Sequence, residues 1–159
     1  MQTQKLKILV EEAFPFVDKP KGLDLSFHKD DCSHCHFLRK ALESHVSREL
    51  SASGIREIFS EMSCLSSEGW LWVFPAYLRL CLKQNASAQS DETEFLIYNL
   101  GPSTEFEEET KQRLSGFNRK QLACLLAFVN WLQENEYWSS YYGKELAVAK
   151  TFLSSVVNA

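Results

Sequence analysis

The chain has 159 residues, of which 45% are hydrophobic and 13% aromatic, and its formal net charge at pH 7 is −4. This length is enough for one domain whose core needs neither a metal nor a disulfide, and no apolar run approaches the roughly 18 residues that a membrane span needs. Phosphate neutralisation requires a basic face, and no cluster of lysines and arginines supplies one. We therefore expect a soluble protein that binds neither nucleic acid nor membrane.

The cysteines and the N-terminal segment indicate the compartment. The five cysteines are an odd, irregularly spaced set, which argues against a disulfide framework and for a reducing environment. The first residues, MQTQKLKILVEEAF, mix charge with helical periodicity and lack both the apolar centre and the small-residue cleavage site of a signal peptide. We expect a cytoplasmic protein.

Apolar residues recur at helical spacing through the first half of the chain. The pattern predicts a helix over 3–13, a second that begins near Cys32 and continues to Val46, a short third that begins at Ser51 or Ser53, and a fourth over 66–82. Asp30 or Asp31 is the expected cap of the second helix.

The fourth predicted helix contains two unusual residues. Pro75 either kinks this helix or begins a new one, because proline lacks the backbone N–H that a helix interior uses. Trp72 falls off the apolar face that Trp70, Phe74 and Tyr77 share. We therefore predict that Trp72 is exposed and anchors a protein interface.

The second half of the chain predicts the remaining helices. Residues 91–100 favour a helix capped by Asp91, with a strand as the alternative, and a mostly solvated helix begins at Thr104. The ion pairs expected to support the latter are Glu107/Lys111 and Glu109/Arg113. Residues 118–134 are apolar almost all round, which is typical of a central helix, and a last amphipathic helix follows the aromatic link YWSSYYG. We predict an all-α single domain over 1–159, a bundle of seven or eight helices around the buried central helix 118–134.

Two loops and one acidic run are candidate contact surfaces. The loop over 15–30 is longer than a compact domain usually keeps without a purpose, and the segment over 84–91 is polar. The run EFEEET is usually read as a solvated helix face, and its functional alternative is a contact for a basic protein partner. The candidate partner-binding residues are Glu105, Glu107, Glu108, Glu109 and Trp72.

The stretch DDCSHCH places two cysteines and two histidines at the start of the second helix. One interpretation is a zinc site, for which the available ligands are His28, Cys32, Cys35 and His36. A second is a redox pair, although the βαβ context of such pairs is missing. We favour a third, in which both thiols face the core as packing material, and we predict neither a metal nor a cofactor.

The chain lacks the sequence patterns of common catalytic sites. It contains no G-x-S-x-G, no H-E-x-x-H and no glycine-rich phosphate loop, and its six glycines leave little scope for a backbone cradle. We therefore predict that the protein is not an enzyme.

Three segments carry a family resemblance: the helix start CSHC, the block LSSEGWLWVFPAYLRLCL and the helix FNRKQLACLLAFVNWL. Together, over roughly residues 5–135, they resemble a bacterial family of small cytoplasmic domains of unknown function, whose members resemble the immunity proteins of polymorphic or contact-delivered toxins. The resemblance implies a non-catalytic protein that binds and neutralises a cognate antibacterial toxin. The alternatives are a metal- or thiol-dependent enzyme centred on the C-x-x-C-H motif and a helical adaptor.

Overall fold

The computed structural model describes residues 1–29, 31–84 and 90–159, and these residues form eight α-helices. They are α1 (Thr3–Ala13), α2 (Ser33–Ala41), α3 (Ala52–Ile58), α4 (Ser67–Lys83), α5 (Asp91–Leu100), α6 (Glu107–Leu114), α7 (Arg119–Gln133) and α8 (Glu136–Val157). Short 3₁₀ helices occupy Gly22–Leu25, Phe59–Cys64 and Thr104–Phe106. The predicted all-α single domain is confirmed, and 91–100 is a helix rather than a strand.

Side-chain caps explain where two of these helices begin. At α4, the hydroxyl of Ser66 accepts a hydrogen bond from the backbone N–H of Gly69, at the start of the helix predicted over 66–82. At α7, Asn118 and Gln121 form a reciprocal capping box. Both caps depend only on residues three apart in the chain, which is why the sequence reveals them.

Two other caps differ from the prediction. The cap of α5 is Ser90 rather than Asp91, because the Ser90 hydroxyl accepts the backbone N–H of Thr93. The cap of α2 is Cys32, whose sulfur takes the place expected for the Asp31 carboxylate. The alternative cap, Asp30, lies outside the described residues.

Two helices share the centre of the fold. The predicted central helix is found as α7, with eight of its fifteen residues buried, and it packs on α1 and α8. In α4, eleven of seventeen residues are buried, and this helix contacts α1, α3 and α6. Pro75 lies inside α4 without ending it. The core is therefore built around α4 as well as around α7.

Trp72 is fully buried, so the prediction that it is exposed is wrong. Its indole N–H donates to the carbonyl oxygen of Ser47 over 3.0 Å. The reason is that α2 ends at Ala41, and the chain then folds back against the second face of α4 instead of continuing as a helix to Val46. Val46 itself is 76% exposed. Trp72 is core packing and cannot be a surface anchor.

The last helix is longer than predicted, since α8 includes the aromatic segment that was expected to be a link. Its backbone leaves helical geometry at Tyr142 (φ −127°, ψ 24°), and it packs along α7 and α5. Across the described ranges, no helix combines the length and the apolar character that crossing a membrane requires.

Candidate functional site

Three of the four predicted zinc ligands lie together at the start of α2. The ligand atoms of His28, Cys32 and Cys35 all lie within 4.8 Å of one another, and we call these residues the Cys–His cluster. The Nδ1 atom of His28 is 3.8 Å from the Sγ atom of Cys35. His36 lies elsewhere, because it lines a different cleft with Lys19 and other residues.

The start of α2 brings the two cysteines of the cluster together. Cys32 adopts extended backbone geometry as the residue before the helix, and Cys35 follows in its first turn. The backbone N–H of Cys35 donates to the sulfur of Cys32 over 3.5 Å. This contact satisfies one of the N–H groups that a helix start leaves unpaired. The C-x-x-C spacing therefore caps the helix and also brings the two sulfurs close to each other.

The loop that carries His28 is fixed by the buried side chain of Ser26. The Ser26 hydroxyl donates to the backbone carbonyl of His28 over 2.7 Å and accepts from the guanidinium of Arg39 over 2.6 Å. The backbone of Ser26 also pairs with Leu65 in an isolated antiparallel bridge. The position of His28 is therefore set by contacts with α2 and with the segment before α4.

Phe27 connects the same loop to α6. Its backbone N–H donates to the carbonyl oxygen of Cys64 over 2.8 Å, and its ring lies against the His28 ring with centroids 5.1 Å apart. The guanidinium carbon of Arg113 lies 4.1 Å from the centroid of the Phe27 ring, a cation–π contact. The Cys–His cluster is thus attached on two sides to the body of the protein.

The two cysteines of the cluster occupy different environments. Cys35 is buried, which confirms that it faces the core, and this burial raises the pKa of its thiol. Cys32 is half-buried, and the hydrogen bond from the backbone N–H of Cys35 lowers the pKa of its thiol. The prediction that both sulfurs are only packing material is therefore incomplete, because Cys32 also lines a cavity.

The other cysteines, Cys64, Cys81 and Cys124, are free and buried. Loss of solvation raises the pKa of Cys64 and of Cys81 to about 12, and that of Cys124 to about 11. These three thiols stay protonated at neutral pH.

A cavity of about 720 Å³ opens beside the Cys–His cluster. His28, Cys32 and Cys64 line one part of it, and Tyr98 and Phe106 line another. The elements that form its wall are distant in sequence, so no local pattern could have predicted the cavity.

The charged lining of this cavity includes a buried arginine. Arg113 is 4% exposed, its Nε–H donates to the carbonyl oxygen of Ser63 over 3.0 Å, and its Nη2 lies 3.5 Å from a carboxylate oxygen of Glu109. Glu61 is a second carboxylate of the lining, 3.6 Å from the Cys64 sulfur. The sequence showed Arg113 only as a helix-supporting partner of Glu109, and nothing local indicates that it is buried.

The acidic run lies where the last 3₁₀ helix joins α6, and Glu109 is its one glutamate among the lining residues of the same cavity. Glu107 lines a different cleft, together with residues of α8. Glu105 and Glu108 are exposed, whereas Glu107 and Glu109 are half-buried. Phe106, inside the run, is 50% exposed and lines the cavity. An aromatic residue between glutamates is a signal for an interface residue that is visible in the sequence.

Two of the four glutamates form ion pairs within α6. Glu108, rather than the expected Glu107, pairs with Lys111 over 2.9 Å, and Glu109 pairs with Arg113 as expected. Glu105 and Glu107 lie in no ion pair among the described residues. The charge of the exposed Glu105 therefore remains available to a partner, whereas the charge of Glu107 adds to the hydrogen bond from Glu108 in raising the pKa of Lys111.

The two candidate contact loops differ in what the structure shows. The loop over 15–30 is held down, since it contains the 3₁₀ helix Gly22–Leu25 and the Lys29 ammonium donates to the carbonyl oxygens of Leu23 and Ser26. Residue 30 at its end, and residues 85–89 of the segment over 84–91, lie outside the described residues.

Comparison with known proteins gives one match. A family model described as a family of unknown function (DUF6714) matches residues 4–149. This range contains the three motifs over 5–135 that carry the resemblance, and it extends into α8. No curated protein and no solved structure matches the chain.

Proposed function

The chain belongs to this family of unknown function, and we propose that it is a bacterial immunity protein, which binds a cognate antibacterial toxin in the cytoplasm and neutralises it without catalysis. The resemblance of its motifs to those of immunity-like domains supports the proposal. The structural observation that carries it is a surface of aromatic and acidic residues, of which Tyr98, Phe106 and Glu109 line the cavity. We define this acidic–aromatic surface as Tyr98, Glu105, Phe106, Glu108 and Glu109.

The aromatic residues of this surface suit a protein interface. Phe106 is 50% exposed and Tyr98 is 44% exposed, and both line the cavity. Large aromatic side chains that become buried in a complex supply much of its binding energy. These two residues replace Trp72 as the anchors of the proposed interface.

The glutamates suit a basic partner. Complementary charge steers a partner during diffusion and accelerates association, and the net charge of −4 adds to this effect. A toxin that acts on nucleic acid or another polyanion has a basic active-site surface, which an acidic inhibitor can cover. We therefore expect the toxin surface that docks here to be basic.

A purely structural role explains only part of the run. Glutamates in the first turn of α6 favour the positive end of the helix dipole, which accounts for Glu107, Glu108 and Glu109. Glu105 lies in the first turn of the 3₁₀ helix Thr104–Phe106, where the same effect acts, but no helix-end effect accounts for an exposed Phe106. An interface accounts for Phe106.

Co-expression with the product of the neighbouring gene, followed by affinity purification, tests the proposal. We expect the neighbour to be toxic alone, harmless together with this chain, and co-purified with it. A neighbour that is harmless alone and does not co-purify would contradict the proposal. A harmless neighbour that does co-purify would favour the helical adaptor instead.

A further inference from the structure

We propose that His28, Cys32 and Cys35 form a zinc site with three protein ligands and a fourth position that opens toward the cavity. This inference goes beyond partner binding. The sequence favours thiols that pack in the core without a metal, whereas the positions of the three side chains favour metal coordination. The first observation is the convergence of three ligand atoms, from a loop and a helix start, to within 4.8 Å of one another.

The spacing of these atoms is close to that of a zinc site. Tetrahedral coordination with Zn–S bonds of about 2.3 Å and Zn–N bonds of about 2.0 Å places the ligand atoms about 3.5 to 3.8 Å apart. The His28 Nδ1 atom and the Cys35 Sγ atom are 3.8 Å apart. The remaining distances, at most 4.8 Å, need to shorten by about 1 Å, which side-chain rotation supplies.

The ligand types select the metal. Two thiolates and one imidazole are soft to borderline donors, which suit Zn²⁺ and are poor ligands for Mg²⁺ or Ca²⁺. The backbone N–H of Cys35 already donates to the Cys32 sulfur, an outer contact that stabilises a ligating thiolate.

The site is held in place by the fold itself. Ser26 fixes the backbone of His28 through one hydrogen bond and is itself fixed by Arg39 and by the bridge to Leu65. Cys35 is anchored in the core. A site supported in this way binds metal without having to fold around it, so removal of zinc should leave the helices intact.

The fourth position faces the cavity because His28 and Cys32 both line it. The Cys64 thiol also lines the cavity, but it points toward a carboxylate oxygen of Glu61, 3.6 Å away, and does not belong to the cluster. Three protein ligands with an open position leave room for water or for a donor group brought into the cavity.

Metal titration of the purified, chelator-stripped chain tests the site. Zinc is measured by competition with a chromogenic chelator, and cobalt provides a thiolate-to-metal charge-transfer band. We expect one zinc ion per chain and a cobalt spectrum of tetrahedral thiolate coordination. If the chain binds no zinc when zinc and protein are equimolar, the proposed zinc site is overturned, and the immunity proposal stays intact.

Matched variants identify the ligands. His28→Ala and Cys32→Ser should each weaken zinc binding at least tenfold, whereas His36→Ala, which alters a histidine of the same segment outside the cluster, should bind as the unchanged chain does. These positions avoid the buried Cys35, whose replacement endangers the fold, and circular dichroism checks that every variant is helical. Unchanged affinity of His28→Ala, or equal loss in His36→Ala, would overturn the assignment.

Discussion

Ser26 pairs with Leu65 in an isolated antiparallel bridge, which ties the loop before α2 to the segment before α4. The backbone N–H of Ser66 also donates to the carbonyl oxygen of Leu25, and that of Phe27 donates to Cys64. This short pairing fixes the backbone next to His28 and Cys64, and both of these residues line the cavity.

The first prediction concerns the buried hydroxyl of Ser26. Ser26→Ala leaves the Arg39 donor and the His28 carbonyl without this partner, which should cost about 1–3 kcal/mol of unfolding free energy. It should also weaken zinc binding, because His28 loses its support. Urea unfolding and zinc titration measure the two effects, and Ser140→Ala, at an exposed position, serves as the control. An unchanged urea midpoint in Ser26→Ala would show that the loop is held by other contacts.

A second prediction separates folding from binding at Trp72. Trp72→Phe removes the hydrogen bond to Ser47 and part of a buried ring, which should cost about 1–3 kcal/mol of unfolding free energy. Partner binding below the unfolding transition should be unchanged, since the side chain is inaccessible. Denaturant titration and affinity purification of the same variant give both numbers. Normal stability together with lost binding would mean that Trp72 reaches the surface.

The third prediction concerns thiol reactivity in the metal-free protein at pH 8. Cys32 should react first with a thiol reagent, because it is half-buried and its pKa is lowered. Cys81 and Cys124 should react only on unfolding, since burial raises their pKa values to about 12 and about 11. Mass spectrometry of timed samples identifies the modified positions. Early modification of Cys81 or Cys124 would contradict the buried environment.

The fourth prediction is a pH dependence of stability at Cys81. The pKa of the Cys81 thiol in the folded chain is about 12, above the ordinary thiol value of 9.0. The protonated thiol therefore makes its full contribution to the free energy of unfolding below pH 9, and this contribution is lost as the pH rises toward 12. Relative to Cys81→Ala, the unchanged chain should lose about 1.4 kcal/mol of unfolding free energy per pH unit above pH 9. Urea unfolding of both proteins at pH 8 and pH 10 measures the difference, and a constant gap between them would disagree with the prediction.

Local chemistry made much of the fold predictable. The capping box of Asn118 and Gln121 and the cap at Ser66 involve residues three apart, and both helices begin where the sequence indicates. The predictions were wrong where contacts between segments distant in sequence determine whether a side chain is buried. The exposure of Trp72 depends on the chain folding back after Ala41, which helical periodicity does not encode.

The candidate site was also predictable only where its residues are close together along the chain. The C-x-x-C spacing and the nearby His28 are visible in the sequence because they are close along the chain. Arg113 and Tyr98 line the cavity together with the cluster. This cavity forms only when α5 and α6 pack against the segment before α4. The choice between His28 and His36 as a third ligand also needed the structure, since the two histidines lie on different sides of α2.

The last prediction concerns the acidic–aromatic surface. Phe106→Ala should weaken toxin binding at least tenfold, because an exposed aromatic anchor is lost, and Glu105→Gln should slow association at low ionic strength. The matched controls are Tyr141→Ala, at another exposed aromatic residue, and Glu136→Gln, at an exposed glutamate in the first turn of α8. Both controls should bind as the unchanged chain does.

Rescue of bacterial growth tests the central claim most directly. Cells that express the neighbouring gene product are supplied with the unchanged chain, with Phe106→Ala combined with Glu105→Gln, or with Tyr141→Ala combined with Glu136→Gln. Our account predicts growth with the unchanged chain and with the control pair, and poor growth with the surface pair at equal protein level. Full growth with the surface pair, or no growth with the unchanged chain, would contradict it.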